Sequence, residues 1–201
     1  CHDIVKSHCC KQRLAVVVSA MGGKPKVTDL LLELVHAAAL RNHDEIVSKM
    51  DLIRNKHREC IVDLLGESSS SALSIMALIE ADLKDISDLI RAVMLMKTAH
   101  EQILELVSGY GEIWSATIFS ALLNKEGLPF KFLNARDVLI VNDDNKVLWE
   151  ESEKRLSLFM SQAEAEYASG PSLLHPQSIK LPHLLITGYV ASTIAGVATT
   201  L

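Results

Sequence analysis

Val16-Val17-Val18-Ser19-Ala20-Met21-Gly22-Gly23-Lys24-Pro25-Lys26-Val27-Thr28-Asp29, running into Leu30-Leu31-Leu32, is the stretch that decides the fold. The β-branched run predicts a short buried strand, here extended over Arg13 to Ala20. Gly22-Gly23 and Pro25 end it, since neither residue type suits a central strand. Thr28 is a good N-cap, and Asp29 suits the positive end of a helix dipole. Val27, Leu31, Leu34, Val35 and Ala38 then share one helical face, predicting a helix from Thr28 to about Arg41. Ser19 therefore stands at the carboxyl end of a strand and Thr28 at the start of the next helix. In open α/β sheets that is where small ligands bind.

Composition narrows the classes. The 201 residues suffice for one domain with a sizeable core and are short for two. Aromatics are only 4% of a chain that is 49% hydrophobic, so Leu, Ile, Val and Ala must build the core. A net charge of −5 offers no electrostatic footprint for nucleic acid. No run approaches the roughly 18 uncharged apolar residues of a membrane span, so a soluble protein is expected. Cys1, Cys9, Cys10 and Cys60 lack paired spacing and read as reduced structural residues of an intracellular compartment. Cys9-Cys10 with His2 and His8 is a poor metal set, because adjacent cysteines rarely place both thiolates on one ion.

Beyond the first helix, Asn42-His43-Asp44 carries N-cap chemistry, and Ile46, Met50, Ile53, His57, Ile61 and Leu64 form one stripe. His57 reads as a partly buried structural histidine at a helix edge. Gly66 ends that helix, and Ser68 to Ser71 is a short linker. Met76, Ile79, Leu83, Ile86, Ile90 and Val93 then repeat at spacings of four and three, a seam for an antiparallel hairpin with the preceding helix or, alternatively, for dimerisation. A further helix holds His100 to Leu106. Ser108-Gly109-Tyr110-Gly111 is expected to break it, with Glu112 opening the next and Gly127 closing that one. Phe130 to Asn134 and Asp137 to Val141 read as strands, Glu150 to Tyr167 as a polar helix, and Ser169 through Pro182 as a proline-rich loop containing His175. His183 to Tyr189 is the last strand and turn, and Ala191 to Leu201 reads as a loop. Strands alternating with helices, plus a helical insertion at about 43–108, predict an α/β protein with a largely parallel sheet.

Two segments together, Val17-Val18-Ser19-Ala20-Met21…Val27-Thr28-Asp29 and Gly111-Glu112-Ile113-Trp114-Ser115-Ala116, resemble the aspartate kinases of the amino-acid kinase family. Arg136-Asp137-Val138-Leu139-Ile140-Val141-Asn142 and Thr199-Thr200-Leu201 also look like that family. Within it, the resemblance is strongest to the kinase part of the plant bifunctional aspartate kinase–homoserine dehydrogenases. It implies the three-layer αβα sandwich of the amino-acid kinase fold, forming one incomplete domain over residues 1–201. It further implies ATP-dependent phosphorylation of aspartate with ATP and Mg2+, in the synthesis of lysine, threonine and methionine. A chloroplast location follows from the plant resemblance alone.

By that resemblance Ser19, Thr28 and Glu112 belong to an aspartate site, with Gly111 and Ser115 as neighbours and Gly188-Tyr189 lining the same cleft. The chemistry is apt, since a carboxylate can fix the ammonium and hydroxyls can donate to carboxylate oxygens. Each residue keeps a structural alternative: Thr28 as a cap, Glu112 as a dipole partner, Ser19 as a bare strand-end hydroxyl. No residue is assigned to catalysis or to a metal.

The family's Lys-Phe-Gly-Gly and Gly-Arg-x-Gly-Ser-Asp motifs do not occur, so the expectation is a fragment inactive alone. Gly22-Gly23-Lys24-Pro25 also lengthens a turn that is shorter in the relatives, which would move Thr28 out of register. The alternatives are a relative acting on glutamate or a nucleotide, and a non-catalytic binding or regulatory subunit.

Overall fold

The computed structural model describes residues 1–9, 11–169 and 182–201. Cys10 and most of the proline-rich stretch, with His175, lie outside the described residues. The chain divides into two compact units, Cys1–Ser19 with Phe119–Leu201, and Ala20–Ile118.

The first unit holds the strands. In sheet A, β4 (His183–Thr187) lies between β1 (Ala15–Val18) and β2 (Phe130–Leu133), and both pairings are parallel. His183, Leu184 and Leu185 are all buried, as a central parallel strand requires. β1 departs from expectation: it is four residues long, lies at an edge, and leaves Val17 64% exposed. Three valines in a row cannot all face one side of a strand, so Val16 and Val18 pack on the core while Val17 turns outward. Beneath them α1 (His2–Cys9) contributes Val5 and Cys9 to a core shared with Leu123, Phe130 and Leu185.

Two further expectations change in this unit. Asp137 and Val138 belong to the short helix α6 (Ala135–Val138), leaving only Ile140–Val141 as β3. Asn134 decides this, since its side chain accepts the Arg136 N–H as an N-cap. The segment read as a closing loop instead folds as β5 (Val190–Thr193) and β6 (Ala198–Thr200), an antiparallel pair whose β5 also runs parallel to β3. Gly196, at φ +81°, supplies the left-handed turn, and Thr193 Oγ1 accepts the Val197 N–H. The polar helix is α7 (Trp149–Ser169).

The second unit is helical. α2 (Val27–Ala39) buries the predicted stripe of Val27, Leu31, Leu34, Val35 and Ala38. α3 (His43–Leu65) starts at the predicted cap, where Asn42 Oδ1 accepts the Glu45 N–H at 3.3 Å. α4 (Ser70–Met96) is capped by Ser69 and buries Ile75, Ile79, Leu83, Ile86, Ile90 and Val93. That seam packs on α3 as a hairpin and also on α2. At roughly 1.5–3 kcal/mol per large apolar side chain, this burial outweighs helix propensity. Two stripe positions slip at their ends: Leu65 rather than Leu64 is buried on α3, and Ile75 rather than Met76 on α4.

The expected break before Glu112 does not occur. α5 (Glu101–Lys125) runs without interruption through Gly109 and Gly111, and its residues through Ile118 belong to this unit. Each glycine inside a helix is about 1 kcal/mol less favourable than alanine. At Gly111, however, a Cβ would lie 3.0 Å from Ala20 Cβ and 3.1 Å from Val27 Cγ1. The glycine serves close packing rather than a turn. Gly127, at φ +75°, does close the helix as predicted.

Candidate functional site

Thr28, Gly111, Glu112 and Ser115 lie in the helical unit, and Ser19 and Tyr189 in the strand unit. Each group is built differently.

In the helical unit, the turn 21–26 is closed by the Val27 N–H on Met21 O at 3.1 Å and tied to α3 by Lys56 Nζ on Pro25 O at 2.5 Å. Because Val27 is fully buried, it pulls the helix start one residue earlier than expected. Lys26 occupies the N-cap and makes no side-chain cap bond, so Thr28 is the second helical residue and not the cap. Its hydroxyl is therefore not used on the helix end. Gly111 sits against Val27 and Leu31, which brings α5 to the first turns of α2.

Glu112 follows on that side of α5. Only 4% of it is exposed, and its Oε2 has no hydrogen-bond partner among the described residues. Its carboxylate accepts the backbone N–H of Ala20, the residue just after the strand-end serine. Burial pushes the Glu112 carboxyl above its ordinary value, and the Ala20 N–H offsets part of that rise. Glu112 was expected at a helix start, where the dipole would explain it. In mid-helix the dipole does not account for it, and Oε2 has no partner among the described residues. Ser115, one turn further on, is half-buried.

Trp114 anchors this part of α5 and its partners escaped the sequence reading. Its Nε1–H donates to Asp82 Oδ2 of α4 at 2.7 Å, and its ring meets His57 of α3 edge-on at 4.9 Å. A wholly buried indole needs an acceptor, and that need was the available signal. Asp82 stands next to the seam residue Leu83, but no short-range pattern links it to a tryptophan thirty-two residues away. Burial raises the Asp82 carboxyl, and the indole bond partly opposes this. His57 is 1% exposed, not an edge residue, and its Nδ1 bonds Ile53 O at 2.7 Å.

In the strand unit, Ser19 directly follows β1 and is exposed. The Gly188 N–H donates to Val18 O at 2.8 Å, which brings the Gly188-Tyr189 turn to the same carboxyl edge of sheet A. Tyr189 is 50% exposed and has φ +59°, left-handed backbone that an L residue adopts only when its surroundings impose it. The Leu201 N–H on Tyr189 O and the Val190 N–H on Gly188 O impose it here. Also at this edge, Thr187 Oγ1 accepts the Ala135 N–H at 2.8 Å and ties the end of β4 to α6.

No protein-family profile matches the chain. It is 34% identical over 194 residues to the chloroplastic bifunctional aspartokinase/homoserine dehydrogenase 1 of Arabidopsis thaliana. That match takes in 94% of this chain and 19% of the relative, so the chain spans about a fifth of the relative's length. Among solved structures, E. coli aspartokinase III in complex with lysine and aspartate superposes with a TM-score of 0.75 at 22% identity, over 100% of this chain and 39% of that one. The same enzyme in complex with aspartate and ADP gives 0.71 at 22% identity, over 99% and 38%. The homologues of this chain include plant bifunctional aspartokinase/homoserine dehydrogenases and a bacterial aspartokinase, and its fold is the α/β fold of the aspartokinases.

Proposed function

We propose that this chain carries the acceptor side of an aspartate kinase site and forms part of one amino-acid kinase domain. In the reaction, an oxygen of the aspartate side-chain carboxylate attacks the γ-phosphorus of ATP. The bond from that phosphorus to the bridging oxygen breaks, giving 4-phospho-aspartate and ADP. This is the entry step to lysine, threonine and methionine, and a plastid is the compartment that fits the plant relatives.

The observation that carries the reading is Glu112, a buried carboxylate with one oxygen free of any described partner. An α-ammonium group satisfies that oxygen and supplies the charge that burial otherwise lacks. Thr28, whose hydroxyl is not used as a cap, and the first N–H groups of α2 suit a carboxylate. Gly111 keeps α5 close to the start of α2, and Ser19, Ser115 and Tyr189 are assigned to aspartate binding by the family resemblance alone. The chain's own work in this reaction is binding and orientation. ATP and Mg2+ supply the phosphoryl group and its charge neutralisation. No residue described here is assigned to the metal.

Calorimetric titration with aspartate, for the chain and for Glu112→Gln, tests this. A hydrogen bond to a charged group contributes about 1.5–3 kcal/mol, so the variant should bind roughly ten- to a hundredfold more weakly. Equal affinity in the two proteins would remove Glu112 from the site. Titration with Mg-ATP reads the nucleotide separately. A chain that binds neither ligand would favour a non-catalytic subunit, which co-migration with an intact aspartokinase would then detect.

A further inference from the structure

The segment between Ala20 and Thr28 is anchored to a neighbouring helix by one side chain. Lys56 lies on α3, and its Nζ donates to the Pro25 carbonyl at 2.5 Å. We infer that Lys56 is a positioning residue for the aspartate pocket: by anchoring this turn it fixes Thr28 relative to Glu112 before the ligand arrives. The inference rests on the aspartate reading above and extends it to a residue that acts through the turn and not on the ligand.

The two ends of the turn are held by other groups. At its start the Ala20 N–H donates to the Glu112 carboxylate. The Val27 N–H then donates to Met21 O at 3.1 Å, closing the loop on itself. Between those bonds stand Gly22, Gly23, Lys24 and Pro25. Glycine loses more conformational freedom on ordering than any other residue, so this middle is the part that most needs a restraint. Among the described residues, the Lys56 bond is the hydrogen bond that ties it to a helix. A Cβ on Gly23 would lie 3.2 Å from the Lys56 nitrogen, so the ammonium sits directly against bare glycine backbone.

Other cations of α3 are used differently. Lys49 Nζ is shared between Glu33 at 2.5 Å and Glu45 at 3.2 Å, and Arg54 pairs with Asp51 at 2.7 Å and Glu80 at 2.9 Å. Lys56 is half-buried and pairs with no carboxylate among the described residues; its bond goes to the Pro25 carbonyl instead. An ionised donor makes that bond stronger than a neutral one would be. The benefit appears on binding. A turn ordered in advance is not ordered at the ligand's expense, and each residue left to be ordered weakens affinity by roughly 5- to 30-fold.

The test titrates the whole chain with aspartate by calorimetry, as wild type, Lys56→Met, Thr28→Val and the double variant, and follows amide hydrogen exchange in the first two. Methionine matches lysine in helix propensity, so α3 is retained. Lys56→Met should bind aspartate roughly 5- to 30-fold more weakly. Its Val27 N–H should exchange at least about tenfold faster, with the amides of α3 unchanged. In the Thr28→Val background the same substitution should weaken binding by less than about threefold, because Lys56 acts through Thr28. Equal affinity in wild type and Lys56→Met, fully additive losses, or an unchanged Val27 exchange rate would each overturn the inference and leave the aspartate reading standing. A wild type that binds no aspartate would overturn the aspartate reading, and this role for Lys56 with it.

Discussion

Trp114 Nε1 donates a 2.7 Å hydrogen bond to Asp82 Oδ2, joining the helix that carries Glu112 to α4. Removing the acceptor strands a fully buried N–H. Asp82→Ala should therefore lose about 1–3 kcal/mol of stability in urea unfolding. Asp82→Asn retains an acceptor and should lose less than half as much. If Trp114→Phe makes Asp82→Ala nearly neutral, the bond is the cause; additive losses would mean that it contributes nothing.

Glu112→Gln should stabilise the ligand-free chain at neutral pH while weakening aspartate binding. The folded carboxyl lies above its ordinary value of 4.5 because of desolvation. The folded state therefore holds that proton more tightly than the unfolded chain does. Stability is greatest below pH 4.5 for this group and falls as pH rises through the folded value. The difference in stability between wild type and variant should thus widen from pH 4 to 7. A variant less stable than wild type at pH 7 would contradict the assignment.

Two histidines give the opposite dependence. Burial lowers both His57 and His183 from 6.5, and His183 Nδ1 accepts the Leu14 N–H at 3.0 Å, a bond that needs the unprotonated nitrogen. Their contribution is fully present above pH 6.5 and is lost as pH falls toward the folded values. Melting temperature should drop between pH 7 and 5, with a shallower slope in His183→Gln. An unchanged slope in that variant would exclude His183 as a source.

Gly111→Ala and Gly127→Ala should both destabilise, for different reasons. At Gly111 the new methyl meets Ala20 and Val27 at 3.0 and 3.1 Å, so overpacking of about 1–3 kcal/mol outweighs the ~1 kcal/mol gain in helix propensity. At Gly127 nothing lies within 4 Å, and the loss of about 1 kcal/mol comes from φ +75° alone. Substituting D-alanine at 127 should rescue the second, and Ala20→Gly should rescue part of the first. A stabilised Gly111→Ala would mean that the helices separate freely.

Read by itself, the sequence determined the elements whose signals are local. The α2 stripe, the Asn42 cap, the α4 seam and the Gly127 terminus were legible because period, cap chemistry and left-handed backbone act within a few residues. The aspartate kinase resemblance came from two short motifs, and these also named Glu112 and Thr28. Tertiary structure decided what depends on residues distant in the chain. Gly111 looked like a helix break, but it sits in mid-helix because Ala20 and Val27 leave no room for a side chain. Thr28 looked like a cap, but burial of Val27 started the helix earlier. β1 looked buried, but among the described residues it lies at the edge of its sheet, where β4 is the strand with a neighbour on each side. Residues 191–201 looked like a loop because the pairing of β5 with β3 and β6 cannot be seen in either strand alone. Whether Glu112 answers a helix dipole or waits for a cation depends on which groups surround it, and only packing among helices far apart in the chain supplies those.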